Sequence, residues 1–361
     1  MKNCNEITKS HENPAEKLTQ NSQFLHAIIE EIYRCTPLNR FKKNFALVAK
    51  SAASHIAVSQ ELANNTQHSF RKTLSYVNTM IYHTERFSDD QKEVIGKWVH
   101  QEFIAFCLLG SWSSRSFSKP QNIAGDHHTI KQIYGGGIQD DRNTGHVVNL
   151  CFFNEPACKA VANRKQYMKN YILEKTEHLQ QEKYHVTSIA SGPAEEIFDV
   201  YGAMDKNAYS TLKVTGIDMD KRACASVDDR IQEKKLNAYF STQAHNVLSL
   251  GKYTYLNNTQ DLVYSMGLVD YFSDKLVIKI LNNIYQMLKP HGEVIIGNFH
   301  TNCDSRLFLD YLLDWKLIYR TEQDMCRLFS HSKFGRSPVN IDFEEQGVNM
   351  LARCVKQPPT D

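Results

Sequence analysis

The sequence lacks any pair of cysteines spaced C-x-x-C. Its nine cysteines, Cys4, Cys35, Cys107, Cys151, Cys158, Cys224, Cys303, Cys326 and Cys354, are scattered and odd in number. That pattern excludes a disulfide frame and a zinc site; it suits reduced, buried thiols in a reducing compartment, and no metal is expected. An excess of one charge is missing as well, since 42 Lys and Arg stand against 40 Asp and Glu. No strong field therefore draws in nucleic acid or an anionic membrane. The longest strongly apolar run, Phe103 to Leu109, is far too short to span a bilayer. Met1 to Gln23 is polar and has no apolar core of a signal peptide. The expectation is a soluble, cytoplasmic protein with no transmembrane segment and no nucleic-acid partner. No internal repeat is visible.

What remains is an ordinary globular composition, 42% apolar and 23% charged over 361 residues, enough for a large domain and a smaller one. Residues 1–20 read as a polar tail and 21–130 as a helical domain. Pro and Gly are rare there, and Phe24, Leu25, Ile28, Ile29 and Ile32 form one apolar stripe. Ser88 and Gln91 have the spacing of a capping box that opens a helix through Val94, Ile95, Trp98, Val99 and Phe103. Residues 131–180 read as a connector and lead-in helix. The stretch from Ser111 to Asn143, rich in Ser, Gly, Asn and Asp, carries Tyr134-Gly-Gly-Gly137, and a basic helix runs from Pro156 through Arg164 to about Leu179.

From 181 to 361 strand and helix patterns alternate. Strands are predicted near 185–190, 212–217, 236–240, 261–265, 293–298, 339–343 and 348–355. Ser273 is expected to cap a helix whose apolar face is Leu276, Val277, Ile280, Leu281, Ile284 and Leu288, and Thr321-Glu-Gln-Asp324 resembles another helix start. Such alternation means an α/β fold with a mostly parallel sheet covered on both faces.

The chemistry concentrates in Tyr184 to Glu196, YHVTSIASGPAEE, where a β-rich run breaks at Ser191-Gly192-Pro193 and passes into a helix. Gly192 has no Cβ, so a ligand can lie against the backbone, and the following helix N-terminus offers free amides. A second strand ends in Gly216-Ile217-Asp218. A carboxylate at that tip stands beside the glycine turn, where it can accept both hydroxyls of a ribose. A single glycine does not match the three-glycine dinucleotide fingerprint, and no Gly-Lys-Ser of a phosphate loop is present, so a nucleoside without pyrophosphate is the expected ligand. Asp220 reads as a helix cap.

With these pieces in place the chain resembles the class I S-adenosylmethionine-dependent methyltransferases. The matching segments are ASGPAEE, GIDMD, His245-Asn-Val-Leu-Ser249, DLVYSMGLVDYFSD from Asp261 and LKPHGEVIIGNF from Leu288, in family order over roughly residues 184–356. A narrower likeness is to bacterial enzymes that make 3-hydroxypalmitic acid methyl ester, a fatty acid methyl ester. It rests on SGPAEE, GLVDYFSD, Asp314 to Thr321, Tyr134-Gly-Gly-Gly with Gly145, and Pro156 to Arg164.

The resemblance implies a Rossmann-like seven-stranded sheet with an antiparallel last strand, behind an N-terminal helical domain. It implies S-adenosylmethionine as cofactor, with Ala190, Ser191 and Gly192 facing the methionine part, Asp218 the ribose, Met219 the adenine, Asn246 and Val247 the adenine edge, and Ser265 and Met266 the methionine arm. Residues expected to face the acceptor are Tyr134, Arg164, Tyr271, Asn298 and Arg320, with His300, Asp270 and Tyr264 as the catalytic candidates. An Arg can hold an acidic group bidentately. The Asn/Asp-Pro-Pro-Tyr/Phe motif of amino-methylating relatives is absent, and Tyr264-Ser-Met-Gly267 stands in its place.

The reading is methyl transfer to an oxygen of a small or lipid-like acceptor, a fatty acid carboxylate leading. Alternatives are another metabolite, a protein side chain, or a non-catalytic binder of the nucleoside. A homodimer is left open.

Overall fold

A computed structural model describes residues 14–136, 144–177 and 183–358. Residues 1–13 of the expected polar tail, Gly137 of the glycine run and the expected helix end at Leu179 lie outside the described residues.

Among these residues, helices α1 (Pro14–Arg34), α2 (Thr36–Ala53), α3 (Gln60–Tyr82), α4 (Asp89–Cys107), α5 (Ser111–Ser118), α6 (His127–Tyr134), α7 (Thr144–Phe153) and α8 (Pro156–Glu177) precede the first strand. The capping box at the start of α4 forms as expected, with the Ser88 hydroxyl accepting from the Gln91 amide and the Gln91 side chain accepting from the Ser88 amide. Ile28 and Ile32 are fully buried, and Phe24 and Leu25 pack against the same core.

The stretch expected as a connector from Ser111 contains two helices, α5 and α6. Neither is strong by propensity; tertiary burial holds them. Trp112 is wholly buried and its indole N–H donates to Thr129 O at 3.2 Å. The Asp126 side chain caps α6 by accepting from the Thr129 amide at 2.8 Å.

The second half is a mixed sheet of β1 (Tyr184–Ile189), β2 (Leu212–Asp218), β3 (Phe240–Ala244), β4 (Gln260–Ser265), β5 (Leu288–Phe299), β6 (Val339–Phe343) and β7 (Asn349–Val355). Their order is β3-β2-β1-β4-β5-β7-β6, and only β7 runs antiparallel to its neighbours. Helices α9 (Glu195–Ala203), α10 (Lys221–Glu233), α11 (Asp274–Met287) and α12 (Glu322–Ser330) complete it. Its two faces carry separate apolar clusters, one under α8, α9 and α10 and the other under α11 and α12. The seven-stranded Rossmann-like architecture is thus the one expected.

Three local expectations shift, the first being that Leu288, expected on the apolar face of α11, instead opens β5 and pairs with Gln260. The third strand starts at Phe240, because Leu236 closes α10 instead of opening a strand. Lys235 turns left-handed (φ 58°) and the Leu236 amide donates back to Ile231 O, which ends the helix in a Schellman turn. Ser273 stands at the N-cap of α11, yet its side chain makes no capping bond. At α12 the Thr321 hydroxyl and Asp324 carboxylate do form a reciprocal cap.

Strand β1 lies centrally between β2 and β4, so the chain winds outward in one direction and then returns to the other side. This reversal opens a crevice beyond the carboxyl ends of β1 and β4. The helical core includes Phe299, at the end of β5, and the segment from Leu307 to Trp315. The helices therefore sit over the carboxyl edge of the sheet, above that crevice.

Candidate functional site

The turn after β1 is built from alternating left-handed residues: Ala190 at φ 52°, Gly192 at 52° and Ala194 at 49°. Two of these carry a Cβ, a conformation L-residues adopt at a cost and keep where the surroundings over-determine them. An added Cβ at Gly192 would meet no atom within 4 Å, so the bend faces open space. Opposite it stands Asp218 at the tip of β2. One carboxylate oxygen accepts from the Gly192 amide at 2.9 Å, and the other accepts from the Asp220 amide at 2.9 Å. Burial pushes its pKa up, against the pull of those two amides. Asp220 caps α10 by accepting from the Arg222 amide.

A cavity of about 250 Å³ begins at this rim and runs under the helices. Of the residues singled out in the sequence, it brings together Tyr134, Arg164, Ala190, Ser191, Gly192, Asp218, Met219, Tyr264, Met266, Asp270 and Tyr271. Met219 lies at the mouth with 67% of its surface exposed. Tyr264 is buried and donates to Glu196 at 2.8 Å. Burial raises the pKa of both, so the phenol is a donor and not a base. Asp270 accepts from the Phe299 amide at 2.7 Å, and burial lifts its pKa to about 6.

Six of the expected residues do not line the cavity. Asn246 is exposed and caps a short turn by accepting from the Leu248 amide, while Val247 packs into the core. The Ser265 hydroxyl donates to Ile189 O and pins β4 to β1. The ring nitrogens of His300 are engaged, one with Glu322 at 3.1 Å and the other accepting from the Asn302 amide. Asn298 and Arg320 form a closed clamp. The Arg320 guanidinium donates to Val269 O, Asn298 Oδ1, Phe272 O and Asp274, which uses up its donors inside the protein.

Arg164 differs sharply. It is 6% exposed and its Nη1 donates to Met266 O at 2.7 Å, but Nε has no partner and, among the described residues, no carboxylate lies within 4 Å. Its guanidinium lies flat against Gly267, where an added Cβ would sit 2.7 Å from Nη2 and 3.0 Å from Nη1.

The sequence reading missed three contributors. Glu196 lay inside the quoted SGPAEE segment but had no role. His127, from the helical half, reaches Asp220 at 3.7 Å. Ile123, Ala124, Ile130, Leu268, Trp315 and Leu317 supply an apolar wall to the cavity. The Asp126-His-His128 run was the only sequence signal for His127; the wall had none, being scattered over distant elements.

Residues 200–292, from α9 to the start of β5, match a protein-family model described as a methyltransferase domain. The chain carries a methyltransferase domain. The cofactor of such a domain is S-adenosylmethionine, and the protein is a transferase. No curated protein sequence matches the chain. A crystal structure described as a possible exported protein from Bordetella parapertussis is similar in fold, with a TM-score of 0.57 and 15% identity, covering 85% of this chain and 99% of that one. Lesser similarity extends to magnesium protoporphyrin IX methyltransferase from Synechocystis PCC 6803 with bound S-adenosylhomocysteine. That match has a TM-score of 0.42 and 9% identity, and covers 56% of this chain and 87% of the other. Phosphoethanolamine N-methyltransferase 2 from Haemonchus contortus gives a TM-score of 0.41 and 14% identity, covering 53% of each chain.

The residues present fit that cofactor. Asp218 keeps acceptor capacity beyond its two amide bonds, and the bend at Gly192 is open. No helix among the described residues is long and apolar enough to cross a membrane.

Proposed function

We propose that the protein methylates the carboxylate of an apolar, fatty-acid-like acceptor. Arg164 carries this reading. It is a buried guanidinium with unused donors, at the junction between the nucleoside rim and the apolar wall of Ile123, Ala124, Ile130, Trp315 and Leu317. Asp270, Glu196 and Tyr134 act on it electrostatically without a direct ion pair, and a bidentate carboxylate is the partner its planar fork matches best. The apolar wall beside it accommodates an acyl chain. The likeness to enzymes that form a fatty acid methyl ester points the same way.

In this reading residues 21–130 form a helical domain that covers the acceptor, and 181–361 form the catalytic domain, reached through the connector and lead-in helix of 131–180. Ala190, Ser191 and Gly192 border the methionine arm with Met266, Asp218 holds the ribose, and Met219 borders the adenine. S-adenosylmethionine, when bound, supplies a methyl group activated by an adjacent sulfonium. A carboxylate acceptor is ionised near neutral pH, so no residue need remove a proton. Arg164 and Tyr134 orient the acceptor, while Tyr264 and Asp270 hold the floor and the helices exclude water.

The test is transfer of labelled methyl from S-adenosylmethionine into a fractionated cell extract and into defined long-chain fatty acids. The expected product is an organic-phase, base-labile ester. Arg164→Gln is expected to raise the acceptor KM by about tenfold or more and to leave S-adenosylmethionine affinity unchanged. Label confined to the protein fraction would sink the lipid acceptor, and equal loss of cofactor binding would assign Arg164 to the cofactor's own carboxylate.

A further inference from the structure

His127 opens α6, in the helical half, and its side chain is 3% exposed. Its Nδ1 is buried and has no hydrogen-bond partner among the described residues. Asp220 Oδ2 stands 3.7 Å away, beyond hydrogen-bond reach. Both Asp220 oxygens are engaged by Arg222, which leaves them little reason to move toward the ring. Asp126 and Asp218 lie close enough to act on the imidazole by charge, and the His128 ring lies tilted against it with centroids 4.0 Å apart. His127 is among the residues that line the nucleoside end of the cavity with Asp218, and a turn of the ring would bring its covered, unspent Nδ1 to a ligand there. A buried polar atom in this state costs free energy that a ligand can recover.

We propose that His127 is a cofactor-positioning residue whose Nδ1, uncovered by a turn of the ring, takes a hydrogen bond from a ribose hydroxyl beside Asp218, tying the α6 cap to the occupied nucleoside pocket. The inference rests on the cofactor reading above. It adds a contact that comes from the helical half and lies outside the matched residues 200–292. A ribose edge presents two hydroxyl donors, and a carboxylate and a neutral imidazole standing side by side are two acceptors for them. Burial lowers the His127 pKa, which favours the neutral ring.

Calorimetry on the full chain tests this with S-adenosylhomocysteine and with analogues lacking one or the other ribose hydroxyl. His127→Phe, which fills the space without a polar atom, is expected to weaken S-adenosylhomocysteine about tenfold. It should also erase the parent's discrimination at one hydroxyl. His127→Asn, which restores a polar atom near the Nδ1 position, is expected to recover most of the affinity, whereas His127→Ala is not; this pair serves where the Phe variant does not fold. Unchanged affinity and discrimination in the Phe or Ala variant would overturn the proposal while leaving the cofactor reading intact. A parent that binds no S-adenosylhomocysteine would overturn that reading itself.

Discussion

Two arginines show how little residue identity decides. Arg164 and Arg320 look alike in the sequence, and both were candidates to hold an acidic group. In the fold Arg320 spends its donors on the loop between β4 and α11, while Arg164 keeps an unpartnered Nε at the cavity wall. The same distinction applies to histidine: His300 is occupied by Glu322 and Asn302, whereas His127 is not. Hydrogen-bond saturation is a property of the neighbours, so no local motif reveals it. Gly267 makes the point testable. Its missing Cβ leaves room for the Arg164 guanidinium, and Gly267→Ala would push that flexible end away without touching the sheet. The expected outcome is a melting temperature near that of the parent and an unchanged cofactor Kd. Acceptor KM should rise about tenfold, as when a charge-assisted pair is lost.

Elements with local signals were the legible ones. Strand β4 and the second half of β5 are buried almost throughout and read as apolar runs, β1 and β2 read as β-rich runs ended by a turn, and the caps at Ser88 and Thr321 are written in four residues each. Helices α5 and α6 were not, because burial of Trp112 and the Asp126 cap hold them and the composition of their stretch does not favour helix. Strand β3 moved because a left-handed lysine replaced the usual glycine in ending α10. The seam between halves is equally illegible from local patterns. On α4, Gly96 receives the Tyr311 ring, whose hydroxyl donates to Glu93 at 2.7 Å. An added Cβ would lie 2.1 Å from that ring, so Gly96→Ala, which ought to favour an isolated helix, is expected here to destabilise the protein by about 1–3 kcal/mol. Chemical denaturation compares the two.

At the scale of the whole molecule, the helices and the sheet share one apolar core along the carboxyl edge, from Ile28 to Trp315. Within this seam Glu155 is fully buried. It accepts from Ser305 at 3.2 Å and faces Arg71 at 3.6 Å, itself paired with Asp304. Burial lifts its pKa from 4.5 to about 7, and Arg71 and Ser305 oppose that rise. A carboxyl with a raised folded pKa holds its proton in the native state after the unfolded chain has lost it. Its contribution is therefore full below 4.5 and lost as pH rises toward 7, by up to about 1.4 kcal/mol per pH unit. Stability measured by denaturant at pH 5 and pH 7.5 should fall more steeply in the parent than in Glu155→Gln; equal slopes would refute the assignment. By itself the sequence determined the alternation of strands and helices after residue 181, the turn at Gly192 and the acid at Asp218, since each depends on residues adjacent in the chain. The apolar wall, the unpartnered His127 Nδ1 and the unspent Nε of Arg164 against the spent donors of Arg320 come from tertiary structure alone. Burial and hydrogen-bond satisfaction depend on what distant segments bring to the same place.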